Sequence, residues 1–172
     1  VFPTHSFEDC DDLYDFNQFS QCIDEMAKDY DTVLISMIGY DIQQGFDKKY
    51  RNKGYRIVSS GTRNDPYFLN RQRDLMELAD MTISNNIGTH IGYSICLGTP
   101  HYIFNQDITS IKKAASAQAS DHLQAIRDRE YAEIKAVFNS REPIITPEQI
   151  AVVKKYWGPF EIKPKFYANT QE

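Results

Sequence analysis

Apolar positions along the chain switch repeatedly between two spacings. Leu13, Phe16, Phe19, Ile23 and Met26 recur every three or four residues. That period predicts a helix over about 13–29, capped by Asp11 or Asp12. Thr32-Val33-Leu34-Ile35-Ser36-Met37 follows as a continuous run, the pattern of a strand covered on both faces. A helix within about 41–52, ended by Gly54, leads to a second strand at Tyr55-Arg56-Ile57-Val58-Ser59. Pro66 suits the first turn of a third helix, which carries Phe68, Leu69, Leu75, Met76 and Leu78. Met81-Thr82-Ile83-Ser84 is a third strand, Gly88 to Leu97 a short helix, and His101-Tyr102-Ile103-Phe104 a fourth strand.

Beyond these strands the character changes. Residues about 110–138 are rich in Ala, Gln, Lys, Arg and Glu and predict one long helix or two. Thr146-Pro147-Glu148-Gln149 carries a capping box with Pro at the first helical position, opening a helix to about Tyr156-Trp157. The tail from Gly158 to Glu172 has no clear period. Alternating helices and strands predict an α/β fold: a Rossmann-like parallel sheet of at least four strands, helices on both faces, and extra C-terminal helices. Residues 1–140 would form the main domain, and 141–172 a helix and tail packed on it.

Composition narrows the class. The 172 residues are 41 % hydrophobic and 25 % charged, ordinary values for a globular domain. The net charge of −5 argues against a general nucleic-acid binder. Cys10, Cys22 and Cys96 show no metal-ligand spacing. Cys22 and Cys96 fall in apolar helical patterns and read as buried free thiols, which suits a reducing cytoplasm. No apolar run approaches the roughly 20 residues of a membrane span. The opening Val1-Phe2-Pro3 reads as the middle of a longer chain.

In open α/β sheets, ligands bind beyond the carboxyl ends of the strands. Four segments lie there: 38–41, 59–65, 85–90 and 105–107. They hold an unusual share of small and polar residues. The sharpest is Ser84-Asn85-Asn86-Ile87-Gly88-Thr89-His90. Gly88 would let a ligand approach the backbone, and the amides of Thr89, His90 and Ile91 would be free at a helix start. An anion fits such a place, with Ser84 and Thr89 adding hydroxyl donors. The plain alternative is a strand–helix turn with Thr89 as its cap. In the segment after the second strand, Arg63 follows Gly61-Thr62 and can pair with a phosphate; the alternative is an arginine paired with Asp65. Asp65 itself reads as a helix cap, Arg71 and Arg73 read as solvated helix residues with Arg71 reaching the site as the alternative, and His101 reads as structural. No HxxxH, HExxH or Cys/His cluster suggests a metal, and no GxSxG suggests a hydrolase.

The stretch from Glu77 through Asn85-Asn86-Ile87-Gly88-Thr89-His90 to Tyr93, with Leu97-Gly98-Thr99-Pro100 and Gly61-Thr62-Arg63-Asn64-Asp65-Pro66, resembles a known pattern. It is similar to the C-terminal half of GT-B glycosyltransferases of bacterial surface polysaccharide synthesis, and to the related nucleotide-sugar 2-epimerases. The similarity covers about residues 30–105, with a weaker echo at Tyr156-Trp157-Gly158. The resemblance implies a domain that holds an activated sugar's nucleotide. Ser84, Asn85, Gly88, Thr89 and His90 would take the phosphates, and Gly61, Thr62 and Arg63 would lie beside the base. The nucleotide-sugar is then substrate, with no cofactor. A saccharide or lipid-linked acceptor would enter through an N-terminal domain missing from this chain, and the full-length protein would touch the membrane peripherally. Two positions depart from the pattern. Tyr93 stands where many relatives carry a ribose-binding glutamate, and Thr62 where a histidine is expected. A nucleotide-sugar epimerase and a non-catalytic flavodoxin-like interaction domain are the competing readings.

Overall fold

The computed structural model describes residues 1–6, 10–62, 64–113 and 121–164. Its first strand, β1 (Cys10–Tyr14), lies where the sequence pattern predicts a helix cap. Asp15 is the real cap of α1 (Phe16–Met26), accepting the Gln18 N–H at 3.0 Å. Phe19, Cys22, Ile23 and Met26 form the buried stripe of that helix, as the period of 3.6 requires. Next comes β2 (Leu34–Ser36). The single helix expected over 41–52 is split into α2 (Gly39–Gln43) and α3 (Lys48–Arg51). Gly45, at φ 77°, sits between them in the left-handed region that favours glycine.

The chain continues through β3 (Arg56–Val58), α4 (Phe68–Leu78), β4 (Thr82–Ser84), α5 (Thr89–Cys96) and β5 (His101–Ile103). A sixth strand, β6 (Ile108–Lys112), replaces the start of the long helix expected from residue 110. That helix exists only as α6 (Asp121–Val137), and residues 114–120 of the expected span lie outside the described residues. The last helix, α7 (Pro147–Trp157), has the capping box read from its sequence. Thr146 Oγ1 accepts the Gln149 N–H at 3.3 Å, and Gln149 Oε1 accepts the Thr146 N–H at 3.1 Å.

The expected parallel sheet of at least four strands is not what forms. The fold is mixed α/β with three two-stranded ladders: β2–β3 parallel, β4–β5 parallel, and β1–β6 antiparallel. The physical reason lies between the two parallel pairs. There the backbone of Val1 and Phe2 hydrogen-bonds to both, through Val1 N to Leu34 O (2.7 Å) and Phe2 N–H to Ile83 O (2.7 Å). Only one isolated bridge results, Phe2 to Ser84. Pro3 follows and has no N–H to continue a ladder. β2, β3, β4 and β5 are three residues each, so each pair is short as well.

Two apolar clusters hold the molecule. One joins α1 to Ile35, Met37, Tyr50, Ile83 and Tyr102. The other joins α5, α6 and α7 around Ile91, Ile95, Ile103, Phe138 and Val153. Tyr102 and Ile103 are neighbours in β5 yet serve different clusters, as the alternation of a strand dictates. Gly92 lets α7 approach α5: a Cβ there would meet Trp157 Cγ at 2.7 Å. Cys22 is buried, whereas Cys96, expected to be buried, is partly exposed. Among the described residues, no helix is long and apolar enough to cross a membrane.

Candidate functional site

The carboxyl ends of β2, β3, β4 and β5 carry the polar segments singled out from the sequence. The loop after β4 is stitched down by residues that the sequence pattern did not mark. Thr4 N–H donates to Asn85 Oδ1 at 2.6 Å, from 81 positions away. Asn86 Nδ2 donates to Thr4 Oγ1 at 3.0 Å. Two residues on, Ser6 N–H donates to Asp41 Oδ1 at 3.2 Å. The segment from Thr4 to Ser6 therefore ties the ends of β2 and β4 together. Hydrogen bonds over such separations leave no periodicity for sequence reasoning to detect.

Ser84 is fully buried, and its hydroxyl is already engaged. It donates to Asn86 O at 2.8 Å and lies 3.0 Å from His101 Nε2. His101 is held at its other nitrogen by Thr82 Oγ1, 2.8 Å away. Burial drives the His101 pKa well down, with the neighbouring His90 second, so the ring is neutral. Asn85 is 1 % exposed, and its Nδ2 has no partner.

Gly88 is the N-cap of α5 and makes no side-chain cap. Its φ of −164° is extended backbone, so the turn itself does not demand glycine. The demand is steric: a Cβ would meet the His90 ring at 2.8 Å. Thr89 is exposed at the first helical position. By helix geometry the amides of Thr89 and His90 lack an intrahelical acceptor. Ile91, expected to be a third free donor, instead bonds Gly88 O at 3.2 Å.

His90 is packed inward. Its ring stacks on Phe2 with centroids 5.3 Å apart and lies 5.4 Å from His101. Burial pushes its pKa down to about 3, helped by nearby His5. At neutral pH the ring is therefore uncharged and offers a hydrogen bond rather than a cation. Its Nε2 is buried and unpartnered.

The loop after β3 is shaped by Gly61, whose φ of 90° favours glycine. Gly61 O accepts the Gly39 N–H at 3.4 Å, which places this loop beside α2. Ser60 is buried, and its Oγ has no partner. Thr62 is exposed, and Arg63 lies outside the described residues. Asp65 pairs with Arg71 of α4. Arg71 Nε also donates to Ser60 O at 3.1 Å, so this helix-borne arginine reaches the strand end. Asp65 Oδ1 accepts the Tyr67 N–H at 2.8 Å. Tyr93 is half-exposed on α5, one turn beyond Thr89.

Two further groups complete this edge. Gln106, after β5, has both side-chain polar atoms buried and unpartnered. Asp41 is 3 % exposed, and burial raises its pKa to about 6 against the opposing pull of the Ser6 N–H and Lys49. Among the described residues, no group of three or more His, Cys, Asp or Glu side chains is placed to hold a metal ion.

These unpartnered atoms have a common topological position. Ser60 Oγ, Asn85 Nδ2, His90 Nε2 and both Gln106 polar atoms belong to segments that follow β3, β4 and β5. They are the buried side-chain polar atoms found without a partner among the described residues. No family model, curated protein or solved structure matches the chain significantly.

Proposed function

We propose that this edge binds a nucleotide-sugar, and that the chain is the donor-binding half of a glycosyltransferase of polysaccharide synthesis. The observation that carries the reading is that the unpartnered buried polar atoms among the described residues belong to segments that follow the parallel strands. Leaving a buried polar atom unpaired costs about 1–3 kcal/mol. Several such atoms on one edge fit a ligand that supplies their partners. The set is mixed: an amide donor at Asn85, a neutral ring nitrogen at His90, a hydroxyl at Ser60, and both kinds of atom at Gln106. Hydroxyl-rich sugar and ribose groups match that mixture. The amides of Thr89 and His90 at the start of α5 suit the diphosphate.

Catalysis in this reading is positioning of the donor and stabilisation of the leaving diphosphate. An epimerase would need free carboxylates at this edge. Of the three carboxylates in the post-strand segments, Asp41 is buried against Ser6 and Asp65 is paired with Arg71, which leaves the exposed Asp107 alone and favours transfer over epimerisation.

Calorimetric or NMR titration with UDP, GDP, CMP and their sugars tests the reading. Binding in the millimolar range or tighter is expected, and absence of binding to all of them would overturn it. Thr89→Pro removes one of the two free amides. Proline is tolerated at the first helical position, and Gly88 already has the extended backbone that must precede it. The folded variant should bind diphosphate forms about tenfold more weakly, a loss of about 1.4 kcal/mol. Unchanged affinity would place the phosphate elsewhere.

A further inference from the structure

The opposite edge of the two parallel pairs holds a groove of about 480 Å³. Its apolar lining includes Ile23 and Met26 of α1 and Leu75 of α4. Residues 32–34, leading into β2, and 79–83, leading into β4, form its walls, and Val1 and Phe2 line it too.

The hydrogen bonds show what shape belongs there. Val1 N bonds Leu34 O at 2.7 Å, Val1 O accepts the Ser36 N–H at 2.8 Å, and Phe2 N–H bonds Ile83 O at 2.7 Å. Successive residues of a strand turn their backbone groups to opposite neighbours. Met37 N–H bonds Val58 O at 2.9 Å, on the β3 side, so Leu34 and Ser36 face the other way. By the same alternation the carbonyl of Thr32 and the N–H of Leu34 face the groove. On the other wall Thr82 N–H turns away to Pro100 O at 2.9 Å. That leaves the carbonyl of Met81 and the N–H of Ile83 facing inward. The groove thus offers two rows of strand-type donors and acceptors over an apolar floor.

We propose that this groove is a docking slot for one extended apolar polypeptide segment, lying parallel to β2 and β4 and joined directly to Val1. Continuity with the hydrogen bonds of Val1 and Phe2 sets its direction and register. Three wall residues at about 3.3 Å each give a length of about 10 Å, or about three residues of strand. A free small apolar molecule would leave the inward N–H and C=O groups unmet, whereas a backbone meets both rows. The rim adds a second preference. Asp29, Asp31 and Asp80 line the groove and are exposed, so a Lys or Arg at the outer end of the segment completes the fit.

Two chains extended ahead of Val1 test the slot. One carries two lysines followed by Val-Ile-Val, and the other two lysines followed by Pro-Gly-Pro. The first should melt several degrees higher than the second, and its Leu34 and Ile83 amides should exchange with deuterium at least tenfold more slowly. Equal melting temperatures and equal exchange would overturn the proposal. So would a Val-Ile-Val chain that forms concentration-dependent dimers in sedimentation, because the occupant would then come from a second copy. Undiminished binding of a fluorescent apolar dye to the Val-Ile-Val chain, relative to the unextended chain, would show the slot still open and would also count against it.

Discussion

At the carboxyl ends of the parallel strands, Ser60, Asn85, His90 and Gln106 bury polar atoms without partners. At the amino ends, Ile23, Met26, Leu75 and Met81 line an apolar groove between backbone edges. The same short strands connect the two ends, so strand geometry does not explain the contrast. Side-chain chemistry does. One end keeps hydrogen-bonding capacity in side chains, which is what the proposed nucleotide-sugar would meet. The other keeps it in the backbone, which is what the proposed extended segment would meet.

Two neighbouring histidines, the buried His101 and the half-buried His90, sharpen this contrast within a few ångströms. His101 has Thr82 and Ser84 on its two nitrogens, whereas His90 keeps a free Nε2. If His101 is structural and His90 faces ligand, their variants should separate. His101→Ala opens a cavity and strips partners from two buried hydroxyls, and should cost about 2–4 kcal/mol in a denaturant melt. His90→Ala should cost less stability and weaken nucleotide-sugar binding instead. Equal stability losses with unchanged binding in both would erase the distinction.

The pH dependence gives a second, smaller effect with a definite sign. The pKa values of His90 and His101 are lowered on folding, so the unfolded chain binds more protons below about pH 6.5. Stability therefore falls on acidification from that pH. Asp41 works the other way: its pKa of about 6 lies above the unfolded value of about 3.9, so between those limits the folded state holds the extra proton. Asp41→Asn removes that offset while keeping an oxygen for the Ser6 N–H. Its loss of stability between pH 6 and pH 4 should be steeper than that of the parent by up to about 1.4 kcal/mol per pH unit. Parallel curves would show that Asp41 is ionised throughout.

The smallest effect concerns Gln106. Leucine there removes two unpartnered polar atoms, and should raise stability by about 1 kcal/mol while weakening the ligand. A variant that is less stable and binds normally would mean that Gln106 serves the fold alone.

Much of the local structure was legible because it is written over a few neighbouring residues. The capping box at Thr146 and Gln149 and the apolar stripe of α1 follow from spacing alone. The positions of β2, β3, β4 and β5 follow from short apolar runs bounded by glycine and polar residues. β1 and β6 were not legible. They pair Cys10 with Lys112 across more than half the chain, and Asp11 and Asp12 have poor strand propensity. The sequence marks Gly88 as a place where a ligand can approach the backbone. The structure adds a constraint invisible in the sequence, the His90 ring folded back against it.

By itself the sequence determined where α1, α4, α5 and α7 lie, where β2 to β5 lie, and which loops carry small and polar residues. Those properties depend on propensity and period, which act over one or two turns of chain. Tertiary structure decided that the strands form separate pairs, that Val1 and Phe2 lie between them, and that Thr4 and Ser6 tie the loops together. It also decided which polar atoms in those loops are satisfied and which are left without a partner. Each of these outcomes rests on hydrogen bonds between residues far apart in the chain, set by packing rather than by neighbours in sequence.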